Sequence, residues 1–326
     1  MPLEIEVPPG GSHQSGTVVI GLINNMPDGA LRATEIQFAT LLAEAAGTRA
    51  VCLRLSYLPE VPREEPVRKH LQSAYWPLDT LLADVPDAII VTGTEPRSSQ
   101  LEKEPYWGRI VELLEWTQVN GKPSIWSCLA AHAAALALDG IRRQRLPEKR
   151  FGVFTHQVTA NHPLLSGIGT SIATPHSRWN ELPVDALRSA GYTLASISPE
   201  SGADCFVREG HAPLLCFQGH PEYEANTLLL EYRRDVGRFL RGEHSTWPSL
   251  PEAYFAPPAL RTLDAFKARV KLAPDPALFA DFPTGALAAD IVTRWRPAAV
   301  RVYRNWLEQL INTRERMRSP QHLSMM

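Results

Sequence analysis

Several things are missing from this sequence, and each absence narrows the field. No apolar run approaches the ~20 residues that a membrane-spanning helix needs, so no membrane association is expected. Residues 1–16, MPLEIEVPPGGSHQSG, carry acids where a secretory signal carries bases, and no apolar core follows directly. They read as a flexible leader on a cytoplasmic protein. An excess of one charge is also missing: 33 Lys and Arg face 35 Asp and Glu, a net charge of −2. That balance gives no reason to expect nucleic acid or an anionic membrane as partner. Cysteine is scarce, with Cys52, Cys128, Cys205 and Cys216 the four present. None belongs to the paired C-x-x-C spacing of a zinc site, and a cytoplasmic chain keeps its thiols reduced, so neither metal nor disulfide is expected. Internal repeats and low-complexity tracts are absent.

What remains is an ordinary globular composition, 44% hydrophobic and 21% charged, in a chain of 326 residues that can bury a large core. Short β-branched runs predict strands at Thr17–Ile23, Ala50–Leu55, Asp87–Thr92, Pro123–Ser127, Thr193–Ile197, Cys205–Val207 and Leu214–Phe217. Helical patterns fall between them. One starts at Thr34 as N-cap, with Gln37 at the third helical position and Ile36, Leu41, Leu42 and Ala45 on one face. Others cover Trp107–Val119, the alanine-rich Leu129–Leu138, and Asn226–Leu240. This alternation predicts an α/β fold, an open and mainly parallel sheet with helices on both faces, over residues 17–243. Residues 244–326 differ in character. Prolines crowd Pro248–Pro283, which reads as irregular, and a final helix from about Pro297 puts Ala299, Val302, Tyr303, Trp306, Leu307 and Leu310 on one face. The segment is expected to pack back on the main domain as a C-terminal helical extension.

Chemistry concentrates at two strand ends. In Pro123-Ser-Ile-Trp-Ser-Cys128-Leu-Ala-Ala-His a strand stops at a cysteine and a helix of small residues begins at once. That is the setting of a nucleophile elbow. The helix N-terminus favours a thiolate, and the backbone N–H of Leu129 points where an oxyanion would form. Cys52, Cys205 and Cys216 lie in apolar runs and read as buried thiols. The second strand end is Phe217-Gln-Gly-His220-Pro-Glu222-Tyr, where His220 supplies a base and Glu222 an orienting acid.

A cysteine elbow followed late in the domain by Gly-His-Pro-Glu resembles the class I glutamine amidotransferase-like fold. Within it the chain is similar to the homoserine O-succinyltransferase family, through Asn25-Met-Pro, Ile90-Val-Thr-Gly93, Tyr106-Trp107, Leu114-Glu-Trp116, Glu148-Lys149, Gly152-Val153, Pro175-His-Ser-Arg178, Gly219-His-Pro-Glu-Tyr223, Arg234-Asp235 and Asn305-Trp-Leu307. The resemblance implies an acyl-CoA-dependent O-acyltransferase acting on homoserine in methionine biosynthesis. The expected mechanism is ping-pong, with Cys128 as acyl-thioester nucleophile and His220 with Glu222 as its dyad. It further implies substrate-binding roles for Lys149, Ser177 and Arg234, and the usual homodimer. Acyl-CoA, as succinyl-CoA or acetyl-CoA, enters as co-substrate, with no bound cofactor. The backbone at Thr94, after the DAIIVT strand, is the candidate second oxyanion donor.

The family position that helps set the acyl donor carries glycine with succinyl and glutamate with acetyl. Here it is Arg97. An arginine would pair with the free carboxylate of a succinyl group and offer nothing to acetyl, which favours succinyl. The stretch 259–293 reads as an insertion. Two other readings stay open: a glutamine amidotransferase-like hydrolase, although Trp126 and Ala130 replace the glycines usual beside that nucleophile, and an acyltransferase acting on serine or another hydroxyl amino acid. A non-catalytic protein that kept the fold is opposed by the joint presence of Cys128, His220 and Glu222.

Overall fold

A computed structural model describes residues 3–8, 10–11, 16–273, 275–289 and 291–318. Its larger sheet is built from β1 (Leu3–Glu6), β2 (Val18–Ile23), β3 (Val51–Ser56), β4 (Ala88–Val91) and β5 (Ser124–Ser127), joined later in the chain by three more strands. A polar hairpin intervenes: β6 (Gln144–Val158) and β7 (Ser171–Glu181). Then come β8 (Thr193–Leu194), β9 (Ser196–Ser198), β10 (Gly202–Ala203), β11 (Cys205–Arg208) and β12 (Leu214–Phe217). The larger sheet runs β1-β3-β2-β4-β5-β12-β11-β8, and only β11 runs against the other strands, pairing antiparallel with β12 and β8 on either side. A second, antiparallel sheet runs β10-β9-β6-β7.

The central strands read VVIGLI, AIIV and LLCF and are almost entirely buried, as strands covered on both faces must be. The helices are α1 (Asp28–Ala46), α2 (Glu65–Ala74), α3 (Leu78–Ala83), α4 (Trp107–Val119), α5 (Leu129–Asp139), α6 (Val184–Ser189), α7 (Thr227–Leu240), α8 (Pro257–Leu272), α9 (Thr284–Ala288) and α10 (Arg296–Arg318). One face of the large sheet packs on α1 and α10 through Phe38, Leu41, Tyr303 and Trp306. The other packs on α4 and α5 through Ile110, Leu113, Ala130 and Ala134. A third core joins the hairpin to α7 and α8. No helix among the described residues is long and apolar enough to cross a membrane.

Four expectations need correction. Leu3–Glu6, inside the expected leader, is an edge strand paired with Val51–Arg54, while residues 12–15 lie outside the described residues. The first helix starts at Asp28, not Thr34, because Pro27 supplies the extended entry and Asp28 suits the positive helix end. Thr34 instead turns its hydroxyl back onto the Ala30 carbonyl (3.0 Å), and Ile36 is 61% exposed. The proline-rich segment 248–283 contains a regular helix. Pro257 and Pro258 fall in the first turn of α8, where a missing N–H is harmless, and Leu263, Phe266 and Val270 are buried. Finally, the β6–β7 hairpin was not visible as strands. The final helix and its buried face match expectation, with Ala299, Val302, Tyr303, Trp306, Leu307 and Leu310 all buried.

Candidate active site

Cys128 stands between β5 and α5 with φ 52° and ψ −113°, a conformation that costs a non-glycine residue strain and is retained chiefly where function needs it. Its amide donates to the Phe217 carbonyl (2.7 Å), which fixes the turn against β12. Leu129 then occupies the first helical position, whose N–H has no acceptor within the helix. Beside it lies Gly93. A β-carbon there would stand 2.7 Å from Leu129 Cβ and 3.0 Å from the Leu129 nitrogen, so only glycine lets the end of β4 approach the elbow. Gly93, Thr94 and Leu129 line one narrow crevice, together with Tyr106 and Ile110. The two backbone positions predicted as oxyanion donors therefore face a common space.

The His220 turn is held just as closely. Gly219 donates to Asp204 Oδ1 (2.8 Å), and the His220 amide donates to the Pro175 carbonyl (2.8 Å). A β-carbon at Gly219 would sit 2.7 Å from Thr174 Cγ2 and 2.8 Å from Pro175 O. His220 Nδ1 lies 2.8 Å from Glu222 Oε1, and the Tyr223 ring stacks on the imidazole with centroids 4.3 Å apart. Burial alone would push His220 down. The Glu222 carboxylate and the Cys128 sulfur, which also hydrogen-bonds the ring, outweigh it and hold His220 well above the ordinary histidine value. The other buried histidines go the opposite way. Burial, with Arg178 nearby, lowers His132 to about 3, and burial also lowers His156 and His176. Among these four histidines, His220 is the one arranged to carry a proton, and it does so beside Cys128.

Lys149, Ser177 and Arg234 meet at one place, next to that turn. The register of β6 against β7 shifts between Arg145 and Arg150, leaving Lys149 in the bulge, where a strand can re-aim a side chain. Lys149 Nζ lies 3.7 Å from Glu231 and 3.6 Å from Asp235. Ser177 Oγ donates to Glu231 Oε2 (2.5 Å), and Tyr223 donates to Glu231 Oε1 (2.7 Å). Arg234 pairs with Asp235 (2.9 Å) and stays half exposed. Glu231, Arg234 and Asp235 share a face of α7 through their three- and four-residue spacing.

The sequence reading missed Glu231 and Asp235, which resemble solvated helix charges until Tyr223 and Ser177 are seen on them. It also missed Arg143 and Arg178, both close enough to Cys128 to feel its charge. Arg97 is exposed, on the turn after Gly93, and makes no ion pair or hydrogen bond among the described residues. Cys52, Cys205 and Cys216 are buried, and burial pushes their thiols up. Beneath the site, donor atoms of His156, His176 and Asp204 lie within 4.8 Å of one another. The two rings lie over each other at 5.0 Å, and Arg178 Nε donates to His176 Nδ1 (3.2 Å). A guanidinium at that distance opposes a cation, so this cluster acts as buried scaffold.

Comparison with known proteins agrees with this geometry. The family described as homoserine O-succinyltransferase matches residues 11–316. A homoserine O-succinyltransferase of Methylorubrum extorquens is 46% identical over 288 residues, covering 88% of this chain and 86% of that protein. One from Rhodopseudomonas palustris is 43% identical over 302 residues, covering 93% and 91%. In fold, the chain is similar to a glutamine amidotransferase from Methylobacillus flagellatus, at a TM-score of 0.51 and 15% identity, covering 90% of this chain and 94% of that one.

Proposed function

The chain belongs to the homoserine O-succinyltransferase family, and from that premise we propose that it moves a succinyl group from succinyl-CoA to the hydroxyl of homoserine through a thioester on Cys128. The observation that carries this reading is the strained cysteine elbow facing a buried His220–Glu222 pair, with the charged cluster of Lys149, Ser177 and Arg234 on the far side of the histidine.

In the first half-reaction the Cys128 thiolate attacks the thioester carbon, and its C=O pair becomes an oxyanion facing the N–H groups of Leu129 and Thr94. Collapse breaks the carbon–sulfur bond to CoA, whose thiolate takes the proton held on His220. His220 is then neutral. Part of what raised its proton affinity, the Cys128 charge, has been consumed in the thioester. It is therefore ready to accept the homoserine hydroxyl proton as that oxygen attacks the acyl carbon. Expulsion of the Cys128 thiolate beside the newly protonated His220 restores the starting ion pair.

Lys149 and Arg234 suit the acceptor's carboxylate, and Ser177 its polar atoms. Arg97, exposed on the turn after Gly93, would add positive charge toward a dicarboxylic donor. On this reading the product would enter methionine biosynthesis in the cytoplasm.

Mass spectrometry of the intact protein mixed with succinyl-CoA alone tests the reading. We expect one succinyl adduct on the wild type and none on Cys128→Ala, while Cys52→Ala, Cys205→Ala and Cys216→Ala keep it. Full acyl transfer by Cys128→Ala sinks the mechanism, and ammonia release from glutamine would assign the site to the hydrolases instead.

A further inference from the structure

Building on that reading, we infer that Arg143, with the Tyr106 hydroxyl beside it, receives the terminal carboxylate of a dicarboxylic acyl group held on Cys128. Two guanidinium groups stand within electrostatic reach of the nucleophile, Arg143 and Arg178. Arg178 is committed to the protein. Its Nε donates to His176 Nδ1, its Nη1 to the Asn180 carbonyl (2.8 Å) and its Nη2 to the Ser201 carbonyl.

Arg143 is differently placed. Its Nη2 donates to the Ser98 and Ser99 carbonyls (3.1 and 3.2 Å), while its buried Nε has no acceptor among the described residues. The Tyr106 hydroxyl is buried and makes no hydrogen bond of ordinary geometry, with the Glu104 carboxylate its nearest acceptor. Tyr106 lines the crevice that Gly93, Thr94 and Leu129 share. Buried donors are seldom left unpaired, so the Arg143 Nε, next to the Tyr106 that lines this crevice, calls for an acceptor.

A carboxylate has two acceptor oxygens and no donor, and guanidinium is its matched partner. The reach that such a group requires is short. Three carbon–carbon bonds, roughly 4 Å end to end, separate the thioester carbon of a four-carbon diacid from its carboxylate carbon. A receptor for it must lie near the sulfur without touching it. Glu104 completes the arrangement by accepting the Ser98 amide (2.5 Å), and its charge balances Arg143 while no acyl group is present. Arg97 precedes the Ser98–Ser99 pair and is exposed.

The test compares kcat/KM for CoA release from succinyl-CoA and from butyryl-CoA, which has the same length and no carboxylate. Wild type is expected to favour succinyl-CoA. Arg143→Ala should lose about tenfold or more with succinyl-CoA and less than roughly threefold with butyryl-CoA, so that the preference collapses. Arg143→Lys should restore part of it, Tyr106→Phe should erode it less, and Arg97→Ala should leave most of it. Arg143→Gln serves if the alanine variant does not fold. Equal losses with both donors would reduce Arg143 to a clamp on the Ser98–Ser99 turn and overturn the inference. So would a preference that survives in Arg143→Ala and vanishes in Arg97→Ala. A wild type that takes an acyl group from neither donor brings down the parent reading as well, a result distinct from both.

Discussion

On the Gly93 side of Cys128 the wall is backbone and apolar side chain, with Arg143 and Tyr106 keeping unused donors. On the His220 side, Lys149, Ser177, Tyr223, Glu231, Arg234 and Asp235 are already joined to one another. The first flank relies on a shape that tolerates no added atom and waits for its charge partner. The second is assembled in advance, and an incoming amino acid must exchange places with existing ion pairs. On the proposed mechanism the two flanks would act in alternation, the first while the acyl group sits on Cys128 and the second while the amino acid takes it away.

The largest expected effect comes from filling the donor flank. Gly93→Val places side-chain atoms against the Leu129 amide and should cut the burst of CoA release by about 10²–10³-fold, the scale of losing one oxyanion donor. Homoserine affinity should change little. A burst within roughly threefold of wild type would show that the close approach at Gly93 is not needed for chemistry.

A smaller effect separates the flanks from the other side. Lys149→Ala and Arg234→Ala should each raise KM for homoserine about tenfold, the value of one charge-assisted hydrogen bond, and leave the CoA burst intact. Slower acylation in either variant would mean that the cluster supports the nucleophile rather than the acceptor.

The smallest effect is on stability. Burial lowers the proton affinity of His220, but Glu222 and Cys128 raise it by more, so the folded value lies above the ordinary one. A raised folded value stabilises fully below the ordinary histidine pKa, about 6.5, and the benefit fades as pH rises through the folded value. Denaturant melts of wild type and Glu222→Gln should therefore differ most near about pH 6 and converge in alkali. A gap that widened with pH would reverse the assignment.

How much of this was legible in the sequence follows from how local each signal is. Cys128, His220 and Glu222 stand out because a strand, a tight turn and small neighbours are contiguous in the chain. Lys149 and Ser177 emerged only through family resemblance. They sit on a hairpin whose register shifts between Arg145 and Arg150, so its burial does not alternate cleanly and no period-two pattern survives. Glu231 looked like a solvated helix charge because its partners, Tyr223 and Ser177, lie on two other elements. Proline masks a helix at Pro257–Pro258, where it opens α8 inside a segment whose many prolines suggest irregular chain. Arg143 could not be found at all, since its partners Ser98 and Ser99 are 45 and 44 residues away.

Trp295 donates its indole N–H to the Tyr223 carbonyl (2.8 Å), 72 positions earlier in the chain, and Tyr303 stacks on Phe217 at the base of the same turn. On the ribosome the cysteine elbow emerges and can fold long before these residues leave the exit tunnel. Until Trp295 and Tyr303 dock, a nascent chain therefore carries Cys128 while the turn that holds His220 still lacks two of its supports.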